Sequence, residues 1–195
     1  MKRILLVMSV LCFSLILYSC ANRGKIEPLR TETIDFDINK ATQIVQRGEK
    51  TIVDISSKDT ATREEFNQFL IELDKVFNGY EEAQWEYMFF NNGEFENEDI
   101  TTLHLNKDTF YPTIYHKDIE IVSAQIENDY YENEILNSST LTIREEYLGG
   151  DSKLKNWFRE YIYQKNEEDE WVFHTFNGEI NLGEDGITSD YLELK

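Results

Sequence analysis

Apolar residues recur with helical spacing from Asn39 to Ile55, and this period predicts a first helix with Asn39 as its N-cap. The predicted apolar face of this helix comprises Ala41, Ile44, Val45, Gly48, Ile52 and Ile55. Gly48 lowers helix propensity by about 1 kcal/mol relative to alanine, so we expect a bend or a close packing contact there.

A second stripe of the same period predicts a second helix. It comprises Phe66, Phe69, Leu70, Leu73, Val76 and Phe77. Thr62 and Glu65 precede the stripe with the spacing of a capping box, and Gly79 lies where a left-handed C-terminal cap is expected. Residues 80–90 fit a helix or a strand, and the helix is preferred.

From about Ile100 onwards the apolar period changes to two, which is typical of strands. The predicted strands cover 102–105, 119–127, 141–147, 157–165 and 170–176, with a short last strand at 191–194. Clusters of Asn, Asp, Glu and Gly separate them at hairpin-like intervals. Helices followed by consecutive antiparallel strands predict an α+β fold, with N-terminal helices packed on a curved antiparallel sheet.

The first twenty residues follow a different pattern. Lys2 and Arg3 precede an apolar run of about 14 residues, from Ile4 to Leu17. This run is shorter than the roughly 20 residues that a membrane-spanning helix needs, and it suits the core of a signal peptide. The tetrapeptide Leu17-Tyr18-Ser19-Cys20 follows directly.

That tetrapeptide resembles the lipobox of bacterial prolipoproteins, although Tyr18 stands where a small residue is more usual. The resemblance implies diacylglyceryl attachment to the Cys20 thiol, cleavage before Cys20 and, often, acylation of the new amino group. A secretory signal with a chance cysteine, or an uncleaved anchor, is the alternative. We therefore expect a signal peptide at 1–19, the lipidated cysteine and a tether at 20–36, and a single α+β domain at 37–195, held on the extracytoplasmic face of the cell membrane.

Charge and cysteine content narrow the functional classes. The chain carries 38 acidic and 19 basic residues, and removing residues 1–19 changes the formal charge from −19 to −21 because Lys2 and Arg3 are lost. Such a charge argues against nucleic acid or anionic lipid headgroups as partners. It favours cations or basic proteins, such as a basic envelope protein, with solubility as the simpler explanation. Cys12 and Cys20 are the two cysteines of the sequence. The mature domain is therefore expected to lack disulfides, thiolate catalysis and cysteine metal sites.

The order of elements resembles the cone-shaped cystatin-like and nuclear-transport-factor-like folds. The segment Glu170-Trp171-Val172-Phe173-His174-Thr175-Phe176 looks like the last or penultimate strand of such domains. A vaguer similarity links the chain to Gram-positive secreted inhibitors of the endopeptidases that cut cell-wall peptides. The latter resemblance transfers no individual residue.

Candidate chemistry is sparse. His104, His116 and His174 lack metal-ligand spacing; His174 is a candidate general base, with a structural or surface role preferred. The acidic stretches 94–99 and 167–170 and the segment 181–192 do not follow the calcium-binding loop pattern, so we expect no metal and no cofactor. No catalytic residue is predicted.

Aromatic side chains offer a candidate ligand or partner surface. The candidates are Tyr111, Tyr115, Trp157, Tyr161 and Trp171, with Tyr163 as a further member of the same set. Core packing is the preferred role for any one of them.

Three functional hypotheses follow. The first is a lipid-anchored, non-catalytic binding or regulatory module of the cell envelope, in its sharper form an inhibitor of a basic wall hydrolase. The second is an enzyme or small-ligand carrier on a cone-shaped fold, which requires an apolar cavity with converging polar groups. The third is a structural envelope component.

Overall fold

The computed structural model describes residues 29–89, 101–106, 110–131, 135–178 and 191–195. Within these ranges the chain combines helices with antiparallel sheet, as the α+β prediction requires. The helices are α1 (Ile38–Ser56), α2 (Arg63–Asp74) and α3 (Glu82–Phe89). The strands are β1 (Arg30–Asp35), β2 (Thr60–Thr62), β3 (Thr102–His104), β4 (Ile119–Tyr130), β5 (Leu136–Tyr147), β6 (Phe158–Lys165) and β7 (Trp171–Asn177).

Both long helices begin at a polar cap. The Asp37 side chain accepts a hydrogen bond from the Lys40 N–H, so the N-cap of α1 lies two residues before the predicted cap Asn39. The capping box of Thr62 and Glu65 is present at α2, as predicted. Each cap satisfies a backbone donor that the first helical turn leaves without a partner.

Five strands form an open antiparallel sheet in the order β1-β4-β5-β6-β7, and β2 pairs with β3 separately. β4 and β5 are the longest pair, with Ala124 opposite Ile143 and Ile126 opposite Leu141. Register shifts interrupt the ladders within β4 and between Ile162 and Tyr163 of β6. Such irregularities increase the local twist of a sheet.

Apolar side chains from the helices and the strands share one core. Phe77 lies near its centre, with ring centroids of Trp85, Phe173 and Phe176 at 5.0–5.5 Å. A side chain of this size contributes about 1.5–3 kcal/mol when it is fully buried. A second, smaller cluster of Tyr111, Ile119, Leu154 and Trp157 lies apart from it.

The close contact expected at Gly48 is present. A Cβ atom at this position would lie 2.2 Å from Cζ of the Phe77 ring, which is itself fully buried. α1 therefore passes over Phe77 at a distance that no larger residue permits. The absence of a side chain explains why glycine stands in the middle of a long helix.

Three boundaries differ from the sequence predictions. Residues 30–35, which we assigned to the tether, form the edge strand β1. Gly79 has a positive φ of 93°, but α2 ends at Asp74, so Gly79 belongs to the turn after the helix rather than to its cap. The short last strand at 191–194 is reduced to one antiparallel bridge between His116 and Leu194.

Candidate functional site

A cleft of about 360 Å³ opens between the C-terminal half of α1 and the segment 110–116, which leads into β4. Sites for small ligands occupy about 300–1,000 Å³, so this volume suits a small molecule. Apolar side chains provide most of the wall. The lining residues are Ile52, Val53, Ser56, Ser57, Phe110, Tyr111, Thr113, His116, Leu192 and Leu194.

The C-terminal residues 191–195 hold one side of the cleft. Lys117 N–H donates to the Glu193 carbonyl at 2.8 Å, and Lys195 N–H donates to the Tyr115 carbonyl at 2.8 Å. The Lys195 ammonium also donates to the Ile119 carbonyl at 2.7 Å. These bonds fix the last residues against the start of β4, so this wall is preformed.

His116 supplies a neutral polar group to the cleft. Its Nδ1 accepts a hydrogen bond from the Thr113 N–H at 3.0 Å, which places the ring proton on Nε2. Burial lowers the pKa of His116, and the positive charges of Arg159 and Lys195 lower it further. The ring therefore stays uncharged at neutral pH and offers a donor.

Ser56 adds a second polar group. Its hydroxyl oxygen is buried and has no hydrogen-bond partner among the described residues, although it lies in the wall of the cleft. A buried hydroxyl without a partner is unfavourable by about 1–3 kcal/mol.

A fully buried charge cluster, formed by Glu49, Glu145, Arg159 and Tyr161, lies behind the segment 110–116. Glu145 and Arg159 are directly paired across β5 and β6, and Glu49 reaches them from α1. Nη1 of Arg159 lies 2.9 Å from Oε1 of Glu49 and 3.1 Å from Oε1 of Glu145. The Tyr161 hydroxyl donates to Oε1 of Glu49.

One of the two carboxyl groups must hold a proton, because a single arginine cannot balance two buried negative charges. Burial and the neighbouring Glu49 raise the pKa of Glu145 well above its ordinary value of 4.5. Burial also raises the pKa of Glu49, but Arg159, Tyr161 and the Ile114 N–H all favour its ionised form. We assign the proton to Glu145 and the negative charge to Glu49.

This cluster also holds the wall of the cleft in place. Oε2 of Glu49 accepts the Ile114 N–H at 2.5 Å, and Nη2 of Arg159 donates to the Pro112 carbonyl at 3.0 Å. The Arg159 guanidinium also lies 4.2 Å from the centre of the Phe110 ring. Contacts at Phe110, Pro112 and Ile114 thus bind the segment that presents Thr113 and His116.

The five predicted aromatic contact residues are not brought together on one surface. Tyr111 and Trp157 lie in the second core cluster, and Tyr161 belongs to the charge cluster; all three are at most 2% exposed. Tyr115 is half-buried and donates to the Gln46 carbonyl at 2.9 Å. Trp171 is half-buried on β7. Of the five, Tyr111 lines the cleft.

The three histidines named as candidates do not lie together. His104 and His174 are exposed on β3 and β7, whereas His116 is buried beside the cleft. Among the described residues, no group of three or more His, Cys, Asp or Glu side chains is placed to hold a metal ion. Cys20 and the segments 94–99 and 181–190 fall outside the described residues.

Sequence reasoning missed Glu49, Glu145 and Arg159. A signal was present, because Glu49 stands four residues after Val45 and three before Ile52 on the apolar face of α1. Glu145 likewise continues the inward alternation of Leu141 and Ile143. A charged residue on a buried face indicates either a paired interior charge or a site.

Comparison with known proteins finds no matching family model, no matching curated protein and no matching solved structure. Among the described helices, none is both long and apolar enough to cross a membrane.

Proposed function

We propose that this protein is a lipid-anchored, extracytoplasmic binding module of the bacterial cell envelope that holds a small, mainly apolar ligand in the cleft. The observation that carries the proposal is a preformed, mainly apolar cleft whose wall also contains polar side chains, His116 and Ser56 among them. The charge cluster fixes one wall and residues 191–195 fix another. A preformed site avoids the entropic cost of ordering loops when a ligand binds.

The place of the cleft in the fold supports an anchored binding role. His116 lies at the start of β4, where its carbonyl accepts the Ile119 N–H, whereas Leu29, the first described residue, pairs with Tyr130 at the far end of that strand. Twelve residues of β4 span about 40 Å. A domain tethered through its N-terminus would therefore present the cleft away from the membrane.

A non-catalytic role agrees with the chemistry of the cleft. His116 has no carboxylate partner among the lining residues, and its lowered pKa makes the ring a weak base. Glu49 and Glu145 are 0% exposed, so a ligand in the cleft does not reach them. The acidic charge of the chain still favours the alternative hypothesis of an inhibitor of a basic wall hydrolase. Three of the five aromatic side chains that could contact such a partner are buried, however.

We also assign the fold to the cone-shaped cystatin-like type. Helices that precede four of the five strands of the antiparallel sheet, and irregularities within β4 and β6, support this assignment. In such an arrangement the interior would be filled here by Phe77, Phe173 and Phe176. The binding site would then lie at the end of the sheet, in the cleft, rather than inside the cone.

Filling the cleft should abolish ligand binding. Val53→Trp places a large ring in the cleft, and we expect it to weaken binding of the neutral apolar probe N-phenyl-1-naphthylamine at least tenfold, or by about 1.4 kcal/mol. Gln43→Trp, on an exposed position of the same helix, should leave the affinity unchanged. The saturable increase in probe fluorescence measures the affinity of each variant. Equal affinities in the two variants would contradict the proposal that the ligand binds in the cleft.

Removing the acylated cysteine should release the protein from the membrane. Cells that produce Cys20→Ala are expected to contain the protein in the soluble fraction, whereas the natural chain sediments with membranes and carries an acyl mass on its N-terminus. Fractionation and mass spectrometry supply the measurement. An unmodified natural N-terminus would refute the anchor and leave the cleft prediction standing.

A further inference from the structure

Three hydroxyl groups in the wall of the cleft already have a hydrogen-bond partner within the protein. The Ser57 hydroxyl donates to a backbone carbonyl of α1 at 2.8 Å, and the Tyr111 hydroxyl accepts the Leu192 N–H. The Thr113 hydroxyl lies 2.9 Å from Nδ1 of His116. A ligand is therefore not needed to satisfy any of these three groups.

The Nε2–H group of His116 differs from them. The Thr113 N–H, which can only donate, lies 3.0 Å from Nδ1, so the neutral ring carries its proton on Nε2. No acceptor for this proton is found among the described residues. His116 is 6% exposed and lines the cleft, and its Nε2 is not one of the fully enclosed polar atoms, as the Ser56 oxygen is. The donor therefore faces the cleft, where an acceptor on a ligand would complete its hydrogen bonding.

Apolar side chains surround this donor. Ile52 and Phe110 form buried parts of the wall, whereas Leu194 lines the cleft but is 62% exposed. Leu194 forms an antiparallel bridge with His116, so open apolar surface lies directly beside the polar group. A ligand that covers Leu194 removes this apolar surface from water. The cleft thus favours a molecule that combines an apolar body with one hydrogen-bond acceptor.

The cleft offers little compensation for a charged ligand. Among its lining residues in the described part of the chain, none has an acidic or a basic side chain. The two basic residues whose charges act on His116 have other partners: Arg159 is paired with Glu49 at 2.9 Å, and the Lys195 ammonium donates to the Ile119 carbonyl at 2.7 Å. A carboxylate or an ammonium group would lose hydration here without gaining a counter-charge. A neutral ligand avoids that loss.

We infer that the cleft selects neutral, mainly apolar molecules with a carbonyl oxygen, and that this oxygen accepts the Nε2–H of His116. The inference rests on the proposed function, because it names the ligand class of the same cleft. Ketones, esters and amides supply such an acceptor without a charge. A ligand whose only polar group is a donor gains no hydrogen bond at Nε2, which is itself a donor in the neutral ring.

Ligands that share one naphthalene skeleton test the inference. The ketone 2-acetylnaphthalene has an acceptor, 2-ethylnaphthalene has nearly the same shape without one, and 2-naphthoate has a charged acceptor. Each competes with N-phenyl-1-naphthylamine, and the loss of probe fluorescence gives its dissociation constant. His116→Phe should lower the affinity for the ketone about tenfold relative to that for the hydrocarbon. His174→Phe, at an exposed histidine on β7, is the matched control and should leave this ratio unchanged.

Two further measurements complete the test. At neutral pH the protein should bind 2-naphthoate at least about tenfold more weakly than the ketone. His116→Gln, whose side-chain amide can donate near the position of Nε2, should keep part of the preference for the ketone that His116→Phe loses. Isotope-edited infrared spectra of the ketone bound to the natural protein should show a carbonyl stretch below its frequency in hexane, because a hydrogen bond weakens the carbonyl bond.

The outcomes separate the ligand class from the cleft itself. Equal losses of affinity for the ketone and the hydrocarbon in His116→Phe, or a bound carbonyl stretch at the hexane frequency, would overturn the hydrogen bond and leave the cleft intact. Tighter binding of 2-naphthoate than of the ketone would overturn the neutral class. If His116→Phe does not fold, the infrared frequency and His116→Gln decide. Equal binding of the probe to the natural protein and to Val53→Trp would overturn the cleft, and the ligand class with it.

Discussion

Replacing Arg159 with methionine is expected to lower the free energy of unfolding by about 3–5 kcal/mol at neutral pH, because it leaves the Glu49 carboxylate buried without a counter-charge. Methionine has nearly the length of the arginine stem, so the loss reflects charge and hydrogen bonds more than volume. Urea unfolding measures the change. The destabilisation should become smaller as pH falls towards 4.5, because the buried Glu49 of the variant folds as the neutral acid and the unfolded chain then binds the same proton.

Arg144→Met is the matched control. Arg144 lies on β5, next to β6 which carries Arg159, but its side chain is 31% exposed and its partners Glu146 and Glu160 are partly hydrated. Ion pairs of this kind contribute less than about 1 kcal/mol. Equal losses in the two variants would show that the buried cluster has no special weight in stability.

Replacing Glu145 with glutamine is expected to raise stability at neutral pH and to flatten its dependence on pH. The carboxyl group of Glu145 keeps its proton in the folded protein at pH values where the unfolded chain, with an ordinary pKa of 4.5, has already lost it. Stability therefore falls as pH rises from about 4.5 towards the folded-state pKa, and is constant above it. Each unit of that interval amounts to about 1.4 kcal/mol.

Glutamine is neutral at every pH, so the variant lacks this decline. Its amide replaces the hydrogen bond that the protonated Glu145 makes with Glu49. Chemical unfolding at a series of pH values supplies the comparison. Glu146→Gln, one residue later on the opposite face of β5, should keep the decline because Glu145 is unchanged. A Glu145→Gln variant whose stability fell with pH as steeply as the wild type would disprove the assignment of the proton.

Local patterns predicted the helices well. The capping box of Thr62 and Glu65 and the stripe behind it depend on residues three or four apart, so one short segment contains the whole signal. The first helix cap was misplaced because Asp37 and Asn39 are both good N-caps, and the hydrogen bond to Lys40 selects Asp37. Strands β4 to β7 were likewise visible through their alternation.

The edge strand β1 was missed for a physical reason. All six residues of Arg30–Asp35 are exposed, so the segment has no apolar alternation that a pattern search could detect. Its stability comes from backbone hydrogen bonds with β4, from Arg30 opposite Tyr130 to Asp35 opposite Gln125. The overall fold, and not these six residues, determines which strand pairs with this segment.

The charge cluster illustrates the same limit at the candidate site. Glu49 and Arg159 are 110 residues apart, and they meet because β5 and β6 pair in a register that sets Glu145 opposite Arg159. The sequence shows that each of these charged residues lies on an apolar face, but it does not show that their side chains meet in the interior. The cleft depends in addition on the turn at 110–116 and on the last five residues.

The attachment of the chain at the first residue of β1 has a mechanical consequence. If the anchor holds the N-terminus while a ligand or partner pulls on the domain along the strand axis, the force acts parallel to β1. The ladder from Arg30 to Asp35 is then loaded in shear, so its hydrogen bonds share the load and do not open in succession from one end. A fully exposed edge strand can in this way resist mechanical force at the point where the anchor is attached.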